Sequence, residues 1–163
     1  MENLIVEYHF SPGLSDEIKR INLKISNIFN FETTIFWYKK PDTNVKFTEE
    51  YGRSMRRENL LKGNLPLKLK NILEELISYP EFELKTFYPA LSEEQKKQYT
   101  PSDVRQESYD FYLRGKKYWI NVSPYIFNAE FLKTAQELLF KKFHKEITEW
   151  LSESYEKLIQ QED

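Results

Sequence analysis

The chain contains no cysteine. Disulfides, thiol catalysis and any zinc site built with cysteine are excluded together. Glycine is nearly as scarce, with only four: Gly13, Gly52, Gly63 and Gly115, none close to another. Loops that cradle phosphate need clustered glycines so that backbone N–H groups converge on one anion, which excludes a P-loop and a Rossmann fingerprint. There are two histidines, His9 and His144. A serine–histidine–aspartate triad would have to use one of them as its base, and no Gly-x-Ser-x-Gly elbow is present. No apolar run approaches the roughly 18 residues that span a bilayer. The start, Met1-Glu2-Asn3-Leu4, has neither a basic nor an apolar stretch, so the expected location is cytoplasmic, without membrane attachment.

What is present suits a folded domain. The chain has 163 residues, 40% hydrophobic and 31% charged, and its aromatics reach 16%. Twelve Phe and eleven Tyr supply large buried area per residue, so fewer aliphatics are needed. This length fits a single domain with a real core. The net charge of -2 is unevenly spread. Residues 39–70 hold nine Lys or Arg against four acids, and residues 144–163 hold two Lys against six acids.

The pattern predicts an α+β fold: one mixed sheet of four to six strands covered by helices. Leu4, Val6, Tyr8 and Phe10 alternate with polar residues as a half-buried strand. Leu14, Ile18, Ile21, Ile25 and Ile28 recur at helical spacing, predicting an amphipathic helix. Thr33 to Tyr38 reads as a central strand covered on both faces. The next stretch suggests a short strand at Val45–Phe47, then a helix from Thr48 carrying Tyr51, Met55 and Asn59 on one side.

A helix capped by Asn64 and opened by Pro66 carries Leu69, Ile72, Leu73, Leu76 and Ile77. Phe82, Leu84, Thr86 and Tyr88 alternate as a strand, and Ser92 to Gln95 forms a capping box. Tyr109 to Leu113 and Tyr118 to Val122 flank Gly115 as a hairpin. Residues 128–160 read as one long C-terminal helix, roughly 45 Å if continuous, so it either breaks or projects from the body.

Each chemical lead meets a bland alternative. His9 shares a strand face with Glu7, yet residues two apart on a strand are neighbours by geometry alone. Asp110 stands on the hairpin face opposite Tyr109 and Phe111, with no partner visible in the sequence. Acid-x-Lys triplets, the strand signature of a magnesium nuclease, occur at 17–19, 83–85 and 94–96, which is the number chance supplies. No catalytic residue, metal ligand or cofactor is assigned.

The scarcity of catalytic parts favours a non-enzymatic protein that binds a macromolecule, as an inhibitor, immunity protein or adaptor does. A protein partner is the first expectation. Its contact residues would be Trp150 and Tyr155, with the acidic stripe Glu146, Glu149 and Glu153, on a helix that also offers a homodimer surface. The alternative is a nucleic-acid module using Lys39, Lys40, Arg53, Arg56 and Arg57 amid Trp37, Tyr38, Phe47 and Tyr51. A carboxylate metal-dependent hydrolase is the third reading.

Overall fold

The computed structural model describes residues 3–11, 18–38, 48, 55–82, 84, 106–122 and 134–161. The elements run β1 (Leu4–Ser11), β2 (Ile18–Ser26), β3 (Asn30–Tyr38), β4 (Arg56–Asn64), α1 (Leu67–Ser78), β5 (Gln106–Leu113), β6 (Lys116–Asn121) and α2 (Ala135–Gln160). The α+β class holds. The six strands form one antiparallel sheet rather than a mixed one, in the order β4-β3-β2-β1-β5-β6. The chain divides into two compact units, Met1–Gly63 with Leu91–Val122 and Asn64–Ala90 with Ser123–Asp163.

In the sheet unit, alternation sets the two faces. Val6 and Tyr8 on β1, Ile21, Leu23 and Ile25 on β2, Ile35 and Trp37 on β3, Tyr109 and Phe111 on β5, and Ile120 on β6 are all buried. The cross-strand pairs Val6↔Ile25, Tyr8↔Leu23, Ile21↔Ile35, Tyr8↔Tyr109 and Tyr109↔Ile120 put them on one face. The Tyr8 and Tyr109 rings lie 4.7 Å apart between centroids. Tyr8 donates a 2.5 Å hydrogen bond to Glu107 Oε1, placing a partner on a carboxylate that is 5% exposed. Arg114 and Gly115 close the β5–β6 hairpin at φ 52 and φ 73, the left-handed pair that matches the twist of the strands.

Residues 18–26 are a strand, not the predicted helix, so the chain starts with three successive antiparallel strands instead of strand–helix–strand. The isoleucines fit a helical stripe, but Ile21, Leu23 and Ile25 fit a strand equally well. Pairing on both sides decides between them, and β-branched residues suit it. Strand β3 matches the prediction, although Glu32, Thr34 and Phe36 on its other face are half-buried rather than covered. Strand β4 holds Asn59, so Met55 and Asn59 do not share a helix. Phe82 and Leu84 are buried and belong to no element, and the rest of the predicted strand, with Thr86 and Tyr88, lies outside the described residues. The expected features at Val45–Phe47 and Ser92–Gln95 lie outside the described residues.

In the helical unit, α1 buries the predicted Leu69, Ile72, Leu73 and Leu76. Its N-cap is Pro66, with no side-chain cap, rather than Asn64. Helix α2 begins at Ala135, where Thr134 and Glu137 form a reciprocal capping box. It buries Phe140, Phe143, Ile147, Leu151, Tyr155 and Leu158 along one stripe. Lys68 on α1 reaches Glu146 on α2 at 2.6 Å. No helix among the described residues is long and apolar enough to cross a membrane.

Candidate functional site: a carboxylate and histidine cluster on the sheet

The face opposite the buried one carries the chemistry. Glu7 and His9 are two residues apart on β1 and therefore project together. Antiparallel pairing then supplies neighbours from distant sequence: Glu7↔Asp110 and His9↔Ser108 across β5, and Glu7↔Lys24 and His9↔Asn22 across β2. Continued outward, Asp110 faces Trp119 on β6 and Lys24 faces Glu32 on β3. Lys62 of β4 reaches Glu32 at 2.8 Å and holds its carboxyl below the usual range, mainly by donating a hydrogen bond. One row thus reads Trp119, Asp110, Glu7, Lys24, Glu32, Lys62.

Around Asp110 the row becomes a cluster. One potential ligand atom from each of Glu7, His9 and Asp110 lies within 4.8 Å of the others. His9 Nε2 is 3.8 Å from Asp110 Oδ2, and Lys117 Nζ is 3.0 Å from the same oxygen. His9 Nδ1 lies 3.2 Å from Asn22 Oδ1. Tyr112 donates to Glu7 Oε2 at 2.7 Å, and Lys24 stands 3.7 Å from Glu7 Oε1. The Asp110 side chain is only 9% exposed, and its Oδ1 is buried without a hydrogen-bond partner. The negative field shows in its neighbours. The Glu7 carboxylate, as hydrogen-bond acceptor, raises the Tyr112 phenol, and Asp110 raises the Lys117 ammonium.

Asp110 is thus not the lone solvated acid that its sequence context suggests. The shared face of Glu7 and His9 stands as expected, and β5 adds the third member. The separation of 101 to 103 positions along the chain hid it: only the β1–β5 register brings them together. His9 Nδ1 is turned to Asn22 and Nε2 faces Asp110, so neither ring nitrogen is directed at the Ser108 hydroxyl opposite, and this geometry is not that of a serine nucleophile. Two carboxylates and one imidazole make a Lewis-base cluster, suited to holding a cation or exchanging protons.

A second feature lies on the same face. The Arg56 guanidinium sits 4.7 Å from the Phe36 ring centroid and that of Arg20 lies 6.0 Å away. Phe36 meets Tyr38 edge-on at 5.4 Å, and Tyr38 is 43% exposed.

The residues singled out from sequence fall as follows. Arg56 is exposed on β4, and the Arg57 Nη1 donates to the Arg56 carbonyl. Lys39, Lys40 and Arg53 lie outside the described residues. Tyr155 is buried, Trp150 is half-buried and Glu153 is exposed. Glu146 is held by Lys68, and Glu149 by Lys145 one turn before it at 3.6 Å. Tyr155 is buried on the same stripe as Ile147, Leu151 and Leu158.

Comparison with protein-family models, with curated proteins and with solved structures finds no match to this chain.

Proposed function

We propose that this chain is a non-enzymatic, cytoplasmic recognition protein that docks a protein partner on the polar face of its sheet. One observation carries the reading: that face interleaves both signs of charge with arginine-stacked and exposed aromatics. Arg20 and Arg56 flank Phe36, Tyr38 stands beside it, and Trp119 is 50% exposed next to Asp110. Arg, Tyr and Trp dominate interface energetics, and an arginine already stacked on a ring loses less freedom on binding. Alternating charges fix register and discriminate between partners. Inhibitor, immunity-protein and adaptor roles all belong to such a module, and the partner's own activity distinguishes them.

The mixed charge also favours a protein over nucleic acid. Glu7, Asp110 and Glu32 share the face with the cations, within the ~8 Å over which physiological salt leaves charges in contact. A polyanion meets repulsion there, whereas a protein surface of complementary pattern does not. The test is capture from the source lysate by wild-type protein, by Arg56→Glu and by Trp119→Ala, each with its circular dichroism recorded. The reading expects one partner, identified by mass spectrometry, that wild type retains and both folded variants release. Capture unaffected by either change would sink it, as would salt-sensitive retention on single-stranded oligonucleotides that Arg56→Glu abolishes.

A further inference from the structure

We propose that Glu7, His9 and Asp110 form a binding site for a first-row divalent transition-metal ion of the zinc or manganese type. It concerns a different ligand from the recognition reading above and does not rest on it, although Asp110 and its neighbour Trp119 belong to the same face.

The register builds the site. Glu7 and His9 project from one strand, and Asp110 projects from the next at the rung of Glu7. Their donor atoms already lie within 4.8 Å of one another. A tetrahedral ion with bonds of about 2.1 Å wants ligand separations of about 3.4 Å, so closing the site asks the donors to approach by about 1.4 Å at most.

Two further observations point to a cation. The first is the orphan oxygen. An ionised carboxylate offers about four lone-pair sites, and Asp110 Oδ1 has no hydrogen-bond partner although the side chain is 91% buried by its 9% exposure. Burying an unsatisfied anionic acceptor is costly, and a cation held by both oxygens of this carboxylate removes that cost. The second is the orientation of His9. His9 Nδ1 lies 3.2 Å from Asn22 Oδ1, which turns the ring so that its other nitrogen, Nε2, faces Asp110. Nε2 lies 3.8 Å from Asp110 Oδ2, beyond hydrogen-bond reach and close to the spacing of two ligands on one ion. An acceptor behind Nδ1 is also the outer-shell contact that orients metal-binding histidines, and the Tyr112 hydroxyl on Glu7 Oε2 does the same for that carboxylate.

Lys117 and Lys24 compensate these carboxylates from the rim. Their side chains are 54% and 43% exposed, so both can swing into solvent when an ion takes their place. The ion and Lys117 therefore compete for Asp110. One imidazole with two carboxylates suits zinc or manganese better than magnesium or calcium, which prefer all-oxygen shells. Three protein donors leave at least one coordination position for water or a partner's carboxylate.

The experiment is isothermal titration of the chelator-treated full chain with zinc chloride, manganese chloride and magnesium chloride. Zinc or manganese is expected to saturate at one ion per chain, with magnesium much weaker. His9→Gln and Asp110→Asn should abolish binding, Asn22→Ala should weaken it roughly 10- to 100-fold, and Lys117→Gln should tighten it. His144→Gln should leave it unchanged. Paramagnetic broadening by manganese, centred on β1 and β5 amides of the wild type, reads the location without any variant. No saturable binding, binding that survives His9→Gln, or broadening centred elsewhere would each overturn the proposal.

Discussion

Asp110 on β5 stands directly across from Glu7 on β1, so two carboxylates share one rung of the sheet. Like charges placed opposite one another destabilise a sheet by up to about 1 kcal/mol. The buried, unpartnered Oδ1 of Asp110 adds to that cost. Asp110→Asn keeps the shape and removes the charge, at the loss of the Lys117 contact. In chelator-treated protein the urea midpoint of this variant is expected to equal or exceed that of wild type. A fall worth more than about 1 kcal/mol would assign the carboxylate to the fold instead of to a ligand.

Tyr8 and Glu107 test the opposite kind of polar pair, one on the buried face. Tyr8 is 1% exposed and Glu107 5%, and the phenol donates to Oε1 at 2.5 Å. Tyr8→Phe keeps the ring against Tyr109 but takes a donor from a buried charged acceptor. The expected loss is about 1.5–3 kcal/mol, the range for hydrogen bonds to charged groups. Chemical denaturation measures it. A neutral result would mean that Glu107 is satisfied from elsewhere.

The sequence exposes local pattern well and long-range register not at all. The stripe Leu69, Ile72, Leu73, Leu76 has only one periodic solution and became α1. The turn at Gly115 and its flanking alternation became the β5–β6 hairpin. At β2 two periods compete, because Ile18, Ile21, Ile25 and Ile28 mark helical spacing while Ile21, Leu23 and Ile25 alternate. Only the pairings to β1 and β3 settle it. Thr134-x-x-Glu137 was a readable helix start that the continuous apolar pattern upstream obscured. Of the candidate site, Glu7 with His9 could be read from their spacing. Asp110, Asn22 and Lys117 could not, since nothing local specifies which strand lies beside which.

On α2, Trp150 and Tyr155 differ in what their removal reports. Tyr155 is 8% exposed and belongs to the inward stripe, so Tyr155→Ala should cost about 3 kcal/mol through the cavity it leaves. Trp150 is half-buried, and its truncation should cost about half as much. Thermal unfolding followed by circular dichroism orders the two. If Tyr155→Ala proved as stable as wild type, the outward assignment of this residue would return, and with it a partner surface on the helix.

Tyr109 makes stability sensitive to alkali. It is 0% exposed, and burial pushes its phenol well above the usual value, with Tyr8 and Glu107 adding to the rise. Near neutrality both folded and unfolded chains keep the proton, so the group contributes no pH dependence there. Above about pH 10 the unfolded chain releases it while the folded chain retains it. The unfolded state then binds fewer protons, and stability falls by about 1.4 kcal/mol per pH unit until the folded phenol also ionises. Tyr112, raised by its bond to Glu7, acts in the same direction. Tyr109→Phe removes the larger contribution, so its urea midpoint should decline less steeply above pH 10 than that of wild type. Parallel slopes would place the alkaline sensitivity in other groups and leave the buried phenol without a role in it.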